Sequence, residues 1–147
     1  MDAEQIARAC ADAMYAKDRA SAALGMQIED MAEGRAVMGM TVREDMVNGH
    51  ELCHGGLIFS LADSAFAFAC NSQNFNTVAA GARIEFLAAG RLGDRLTAVA
   101  EQITQGARTG IYDVVVTNQE NKTVALFRGN SHRIGGALVD ETTGAPL

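Results

Sequence analysis

The chain has no tryptophan, one proline and few aromatic residues, which make up 5% of its 147 positions. That leaves no stacking platform for unpaired bases. Basic residues are also scarce: 12 Lys and Arg against 18 Asp and Glu give a net charge of −6. Binding a phosphate backbone needs a basic face, so the balance argues against nucleic acid as the main partner. A small anion held by a few local basic groups is still compatible with it. No apolar run reaches the ~20 residues that span a bilayer. The start, Met1-Asp2-Ala3-Glu4, lacks the basic and apolar pattern of a secretory leader. The three cysteines, Cys10, Cys53 and Cys70, form no disulfide framework and point to a reduced, cytoplasmic setting. Hydrophobic residues make up 48%, an ordinary globular content for one domain over 1–147, with residues 136–147 expected as a loose tail.

With one proline, the 15 glycines must mark most turns. Residues 3–18 predict an amphipathic helix. Ile6, Cys10, Ala13 and Met14 fall on one face, and Asp2 is placed to cap it. Strands are expected over 24–30 and 35–43 around Gly34, the second with Ala36, Met38, Met40 and Val42 in alternation. A polar loop from Glu44 to Cys53 leads into residues 54–70, rich in Ala and Leu and apolar nearly all round, the pattern of a buried helix. Four strand-like runs follow, over 77–89, 94–103, 109–118 and 122–133. Their short connections imply antiparallel neighbours. The order predicts an α+β fold, an antiparallel sheet curled around a long central helix. One helix layer that covers a sheet and stays apolar on its far side needs a further cover, so a second subunit is expected there.

Asp63 breaks the pattern of that helix. A carboxylate buried there without partners costs several kcal/mol. One reading gives it a structural hydrogen bond. Its surroundings support another. Gly55 and Gly56 open the same helix, where N–H groups lack internal partners and carry the positive end of the dipole. Without side chains they admit a ligand oxygen, as an oxyanion hole does, though they also permit a plain tight turn. Asn48 can orient a water or a carbonyl, or simply close an Asn-Gly turn. His54 sits where the dipole disfavours its charged form, which favours a loop-fixing role over a general base. His50, Cys53 and His54 lack a second ligand cluster and His132 is remote, so no metal is expected. Cys53 is not expected to be a nucleophile paired with His54, because sequence neighbours point apart.

The run from Asn48 through His54-Gly55-Gly56 to Leu61-Ala62-Asp63, followed by Ala69-Cys70-Asn71-Ser72, resembles hotdog-fold acyl-CoA thioesterases. It is most similar to their phenylacetic acid degradation (PaaI-type) group, over about residues 10–134. The resemblance implies hydrolysis of an aryl-acyl-CoA, such as phenylacetyl-CoA or a ring-hydroxylated derivative, to the free acid and CoA. It implies Asp63 as base or nucleophile, the Gly55 N–H as oxyanion donor, Asn48 holding the water or carbonyl, and His54 supporting the loop. No cofactor is implied, since CoA is part of the substrate. A homodimer with shared sites, paired further into a homotetramer, is the expected assembly. The CoA phosphates call for local cations. Arg108, Lys122 and Arg128, near the late strands, are the candidates, with Gly56 beside them as a binding residue. One departure is visible: where some relatives carry Ser or Thr after the helix, this chain has Ala79 and Ala80.

Helix geometry bears on the assembly. Gly55 and Asp63 are eight residues apart on one helix, which is about 12 Å of rise. An attacker must stand within roughly 3–3.5 Å of the carbonyl carbon, so one chain cannot supply both groups to one substrate. Two antiparallel helices across a two-fold axis can. Two other readings share the fold: an acyl-thioester hydratase or dehydratase, which needs a His base beside the acid, and a non-catalytic acyl-CoA binder, which needs no acid. Phe59, Phe66 and Phe68 are expected in the core ahead of any aryl pocket.

Overall fold

The structure, a computed structural model, describes residues 1–147. Helix α1 (Ala3–Tyr15) begins where Asp2 Oδ1 accepts from the Gln5 N–H and Gln5 Oε1 accepts from the Asp2 N–H, a reciprocal cap. It buries Ala7, Cys10 and Ala11, a stripe turned slightly from the expected one, in which Ile6, Ala13 and Met14 are only half-buried. It also stops short of residue 18. Asp18 instead caps a second helix, α2 (Arg19–Ala23), whose five residues are too few to show a period in the sequence. Strands β1 (Gln27–Ala32) and β2 (Arg35–Thr41) form a hairpin that turns at Gly34, where φ is +71°.

Helix α3 (Gly55–Cys70) is followed by β3 (Thr77–Phe86), β4 (Arg95–Gln105), β5 (Thr109–Thr117) and β6 (Thr123–Arg133). All six strands pair antiparallel in the order β1-β2-β4-β5-β6-β3. The sheet curls around α3, which buries Ile58, Leu61, Ala62, Ala65, Phe66, Phe68 and Ala69 against it. Gly129 on β6 makes the closest seat: a Cβ there would stand 2.7 Å from the Phe66 ring. Phe66 also meets Phe127 and Tyr112 at 5.7 and 5.8 Å between centroids. Burying a ring of this size contributes about 1.5–3 kcal/mol.

Two faces are left without cover. Along α3, the stripe Gly56, Phe59, Ser60, Asp63 and Ala67 is exposed or half-buried. These positions recur at helical spacing along one side of the helix, where the Phe59 ring reaches back to the sheet, against Phe127 of β6. Strand β3 is an edge, and its residues from Val78 to Glu85 are exposed except for half-buried Ile84. An open edge of this length is a template for strand pairing.

The C-terminal segment is held down, in contrast to the loose tail expected from its composition. Val139 is buried and bridges to Pro146. Asn74, in the left-handed region at φ +65°, clamps the segment. Its Oδ1 accepts from the Leu138 and Val139 N–H groups (2.9 and 3.0 Å), and its Nδ2 donates to Val139 O (3.0 Å) and Glu141 Oε1 (3.1 Å). These contacts span more than sixty residues and leave no local periodicity. No helix is long and apolar enough to cross a membrane.

Candidate active site

The loop before α3 is built around Asn48. Its side-chain Oδ1 accepts from the His50 N–H (2.9 Å) and the Leu52 N–H (3.2 Å). Its backbone N–H donates to Leu52 O (2.9 Å) and its carbonyl accepts from the Glu51 N–H (3.0 Å). Glu51 pays for this closure with φ +60°, a left-handed backbone in a non-glycine residue. The loop is then fixed to the segment before β4: the Cys53 N–H donates to Gly90 O (2.7 Å) and the Leu92 N–H to Glu51 O (3.1 Å). Because the Asn48 oxygen is committed to two N–H donors, its free group is the Nδ2 amide, a donor without a partner in the chain. Asn48 is therefore both the turn former and a group that can hold an oxygen.

His54 is the last residue before α3. Its N–H donates to Met46 O (2.9 Å) and its carbonyl accepts from the Leu57 N–H (3.0 Å). The imidazole itself is exposed and makes no hydrogen bond. Support of the loop thus comes from the His54 backbone, not from the ring as expected. Gly55 and Gly56 follow as the first helical residues, and their N–H groups have no acceptor in the chain. Gly55 lines a cleft of about 430 Å³ with Asn48, Leu52, Ile58, Phe86 and Gly90. The half-exposed Phe86 ring lies over Gly55, so close that a Cβ there would stand 2.9 Å from its Cζ. No sequence pattern marks Phe86 for this place, because it ends an edge strand that is exposed on both faces along most of its length.

Asp63 stands two turns further along α3, half-buried, with no hydrogen bond and no ion pair within the chain. Burial pushes its carboxyl above the ordinary range, and the nearby charge of Asp18 adds to the rise. An unpartnered acid on an uncovered stripe is placed to meet something outside its own chain. Phe59 lies one turn before it on the same stripe, edge-on to Phe127 at 5.4 Å. Phe66 and Phe68 are each 1% exposed and belong to the core.

No three His, Cys, Asp or Glu side chains converge as a metal would require. Cys53 is buried, its Sγ donates to His54 O (3.5 Å), and burial raises its pKa, so its thiol stays protonated. The basic candidates do not gather. Arg128 grips Asp113 through two hydrogen bonds (2.6 and 2.8 Å) on the sheet face away from α3. Arg108 and Lys122 sit in the hairpins at opposite ends of β5, whose nine residues span roughly 30 Å. One chain therefore offers no joint site of these three for a nucleotide.

The chain matches the thioesterase superfamily over residues 50–125. It is 56% identical over 131 residues to the acyl-coenzyme A thioesterase PaaI of Escherichia coli (strain K12), covering 89% of this chain and 94% of that protein. The solved structure of the E. coli PaaI protein from the phenylacetic acid degradation operon aligns with a TM-score of 0.91 at 54% identity, over 92% of this chain and 99% of that one. A hypothetical thioesterase protein solved with coenzyme A from Streptococcus pneumoniae TIGR4 aligns with a TM-score of 0.78 at 30% identity, over 86% and 97% of the two chains. This similarity sets hydrolysis of a thioester above the hydratase and non-catalytic readings. Sharing the curled sheet and central helix with these relatives, and 56% of 131 aligned residues with the E. coli protein, the chain belongs to the thioesterase superfamily and is a hotdog-fold thioester hydrolase.

Proposed function

We propose that this protein hydrolyses an aryl-acyl-CoA, phenylacetyl-CoA or a ring-hydroxylated derivative, to the free acid and CoA at sites shared between two protomers. The observation that carries the proposal is the pair of unsatisfied groups on α3: the Gly55 N–H at its start and the Asp63 carboxylate two turns on. They are about 12 Å apart along the axis, too far for one substrate. A second copy adding its β3 to the open β3 edge by a two-fold axis would extend the sheet and lay the two α3 stripes antiparallel. Gly55 of one copy would then meet Asp63 of the other.

At such a site the thioester oxygen accepts from the Gly55 N–H, and the Asn48 Nδ2 is a second donor in the same cleft. Asp63 takes a proton from water as the water oxygen bonds to the carbonyl carbon. The tetrahedral oxyanion collapses, the C–S bond breaks, and the CoA thiolate leaves and takes up the proton. The raised proton affinity of Asp63 suits a base. The half-open Phe59 ring beside it supports an aromatic acyl group, as does similarity to a protein of the phenylacetic acid degradation operon.

The test is thiol release, read with a chromogenic reagent, across phenylacetyl-, hydroxyphenylacetyl-, benzoyl- and straight-chain acyl-CoA. Aryl-acetyl substrates are expected to give the highest kcat/KM. A straight-chain preference would overturn the aryl assignment, and no release above background from any of them would overturn the acyl-CoA assignment.

A further inference from the structure

Three side chains outside that site form a line of hydrogen bonds onto α3. Asp18 Oδ1 accepts from the Ser21 N–H (2.9 Å) and Asp18 Oδ2 from the Ser21 hydroxyl (2.7 Å). The Ser21 and Ser64 hydroxyl oxygens are 2.9 Å apart. An ionised carboxylate can only accept, so the one Ser21 proton goes to Asp18 and Ser64 must donate to Ser21. The charge on Asp18 thus sets the direction of the whole line. Ser21 is 2% exposed, which shields the middle of the line from water, while Asp18 and Ser64 at its ends are half-buried. Ser64 is the residue after Asp63, and it joins α2 to α3 there. Neither Asp18 nor Asp63 is paired with a cation.

We propose that Asp18 is a positioning residue for the hydrolysis: through Ser21 and Ser64 it pins α2 to α3, and its carboxylate acts on Asp63 from there. The inference rests on Asp63 being the catalytic carboxylate. Lys17 and Arg19, which flank Asp18 in sequence, carry the opposite sign, and the groups on α1 and the strands do not supply this charge. Cys70 on α3 and Tyr112 on β5 are each pushed up to about 12, chiefly by burial, and stay neutral. Arg35 and Glu101 of β2 and β4, Asp113 and Arg128 of β5 and β6, Arg83 and Glu85 of β3, and Arg8 and Asp12 of α1 pair with one another at the solvent surface. Arg95 of β4 pairs with Glu29 of β1, and Arg133 of β6 donates to Gln73 and stacks on Phe75. Asp18 is left as the charge that raises the proton affinity of Asp63 beyond what burial does. A stronger base transfers the proton more readily, so removing the charge weakens catalysis and lets Asp63 stay ionised in more acid solution.

The experiment compares Asp18→Asn and Asp18→Ser with the native enzyme. Both replacements cap a helix as well as Asp does, so α2 is retained while the charge is lost. The acidic limb of the kcat/KM profile is expected to move to lower pH in both, with the plateau about twofold to tenfold lower. Asp18→Glu, which keeps the charge, is expected to return the limb toward its native position. Carboxyl 13C titration of Asp63 reads the same shift without turnover. An unmoved limb and an unmoved Asp63 titration in folded Asp18→Asn, with Asp63→Ala inactive, would overturn the role of Asp18 alone. Full activity in folded Asp63→Ala would overturn the reading of Asp63, and this inference with it.

Discussion

Replacing Gly55 by proline removes one hydrogen-bond donor and moves the Phe86 ring while keeping the helix start. Gly55 is the first residue of α3, the position where proline is favoured in helices because its missing N–H has no internal acceptor. The residue before a proline must be extended, and His54 already is, at φ −57° and ψ 133°. The added ring must displace Phe86, whose Cζ would stand 2.9 Å from the new Cβ. Phe86 is 51% exposed, so its ring can swing into solvent. Stiffening the unfolded chain at this position stabilises by about 0.4–1 kcal/mol, which offsets that movement. Folding should therefore survive with a melting temperature within about 4 °C of native. Activity should not: loss of one oxyanion donor lowers kcat by about 10²–10³, or about 2.7–4 kcal/mol. Gly55→Ala displaces the same ring but keeps the N–H, so the Pro-to-Ala ratio isolates the donor. The same variant tests the shared site. Mixed with Asp63→Ala after subunit exchange, a heterodimer carries one site with both native groups and one with both lesions. Half the dimers then hold half the native sites, and roughly a quarter of native activity should return. Full activity in folded Gly55→Pro would show that this N–H is not the donor. No recovery in the mixture, with exchange confirmed by native mass spectrometry, would refute sites built from two chains.

Asp63→Asn should be inactive yet more stable than native at neutral pH, because a half-buried carboxylate without a partner no longer has to ionise. The folded pKa of Asp63 lies above its unfolded value, so native stability falls as pH rises from about 4 toward that raised value; urea denaturation should show the gap to Asp63→Asn closing in acid. Asn48→Asp keeps the oxygen that accepts from the His50 and Leu52 N–H groups but converts the free amide donor into an acceptor, so the melting temperature should hold while kcat/KM drops at least about tenfold. Unchanged kcat/KM would remove Asn48 from the site. Asn74→Ala strips the clamp from the C-terminal segment and leaves buried backbone groups unpaired, a loss of about 2–4 kcal/mol in chemical denaturation with faster proteolysis after Ile134; resistance equal to native would refute the clamp.

Local chemistry is written in the order of the residues. Asp2 and Gln5 announce a helix start, the run 54–70 announces a buried helix, and alternation with short turns announces antiparallel strands, because period and capping depend only on near neighbours. The two unusual features of the candidate site, a Gly pair opening an apolar helix and an acid inside it, are legible for the same reason. Groups brought together by folding are not. Asp18 reaches Ser64 from 46 positions away only once α2 docks on α3, Asn74 meets Val139 only when the start of β3 pairs with the end of β6, and Phe86 covers Gly55 only when β3 has crossed to the far edge. The commitment of Arg128 to Asp113 and the separation of Arg108 from Lys122 are likewise matters of register and strand length. Sequence patterns report the backbone each stretch prefers, whereas a partner at long range is chosen by packing, where one sheet order out of many buries the apolar faces together.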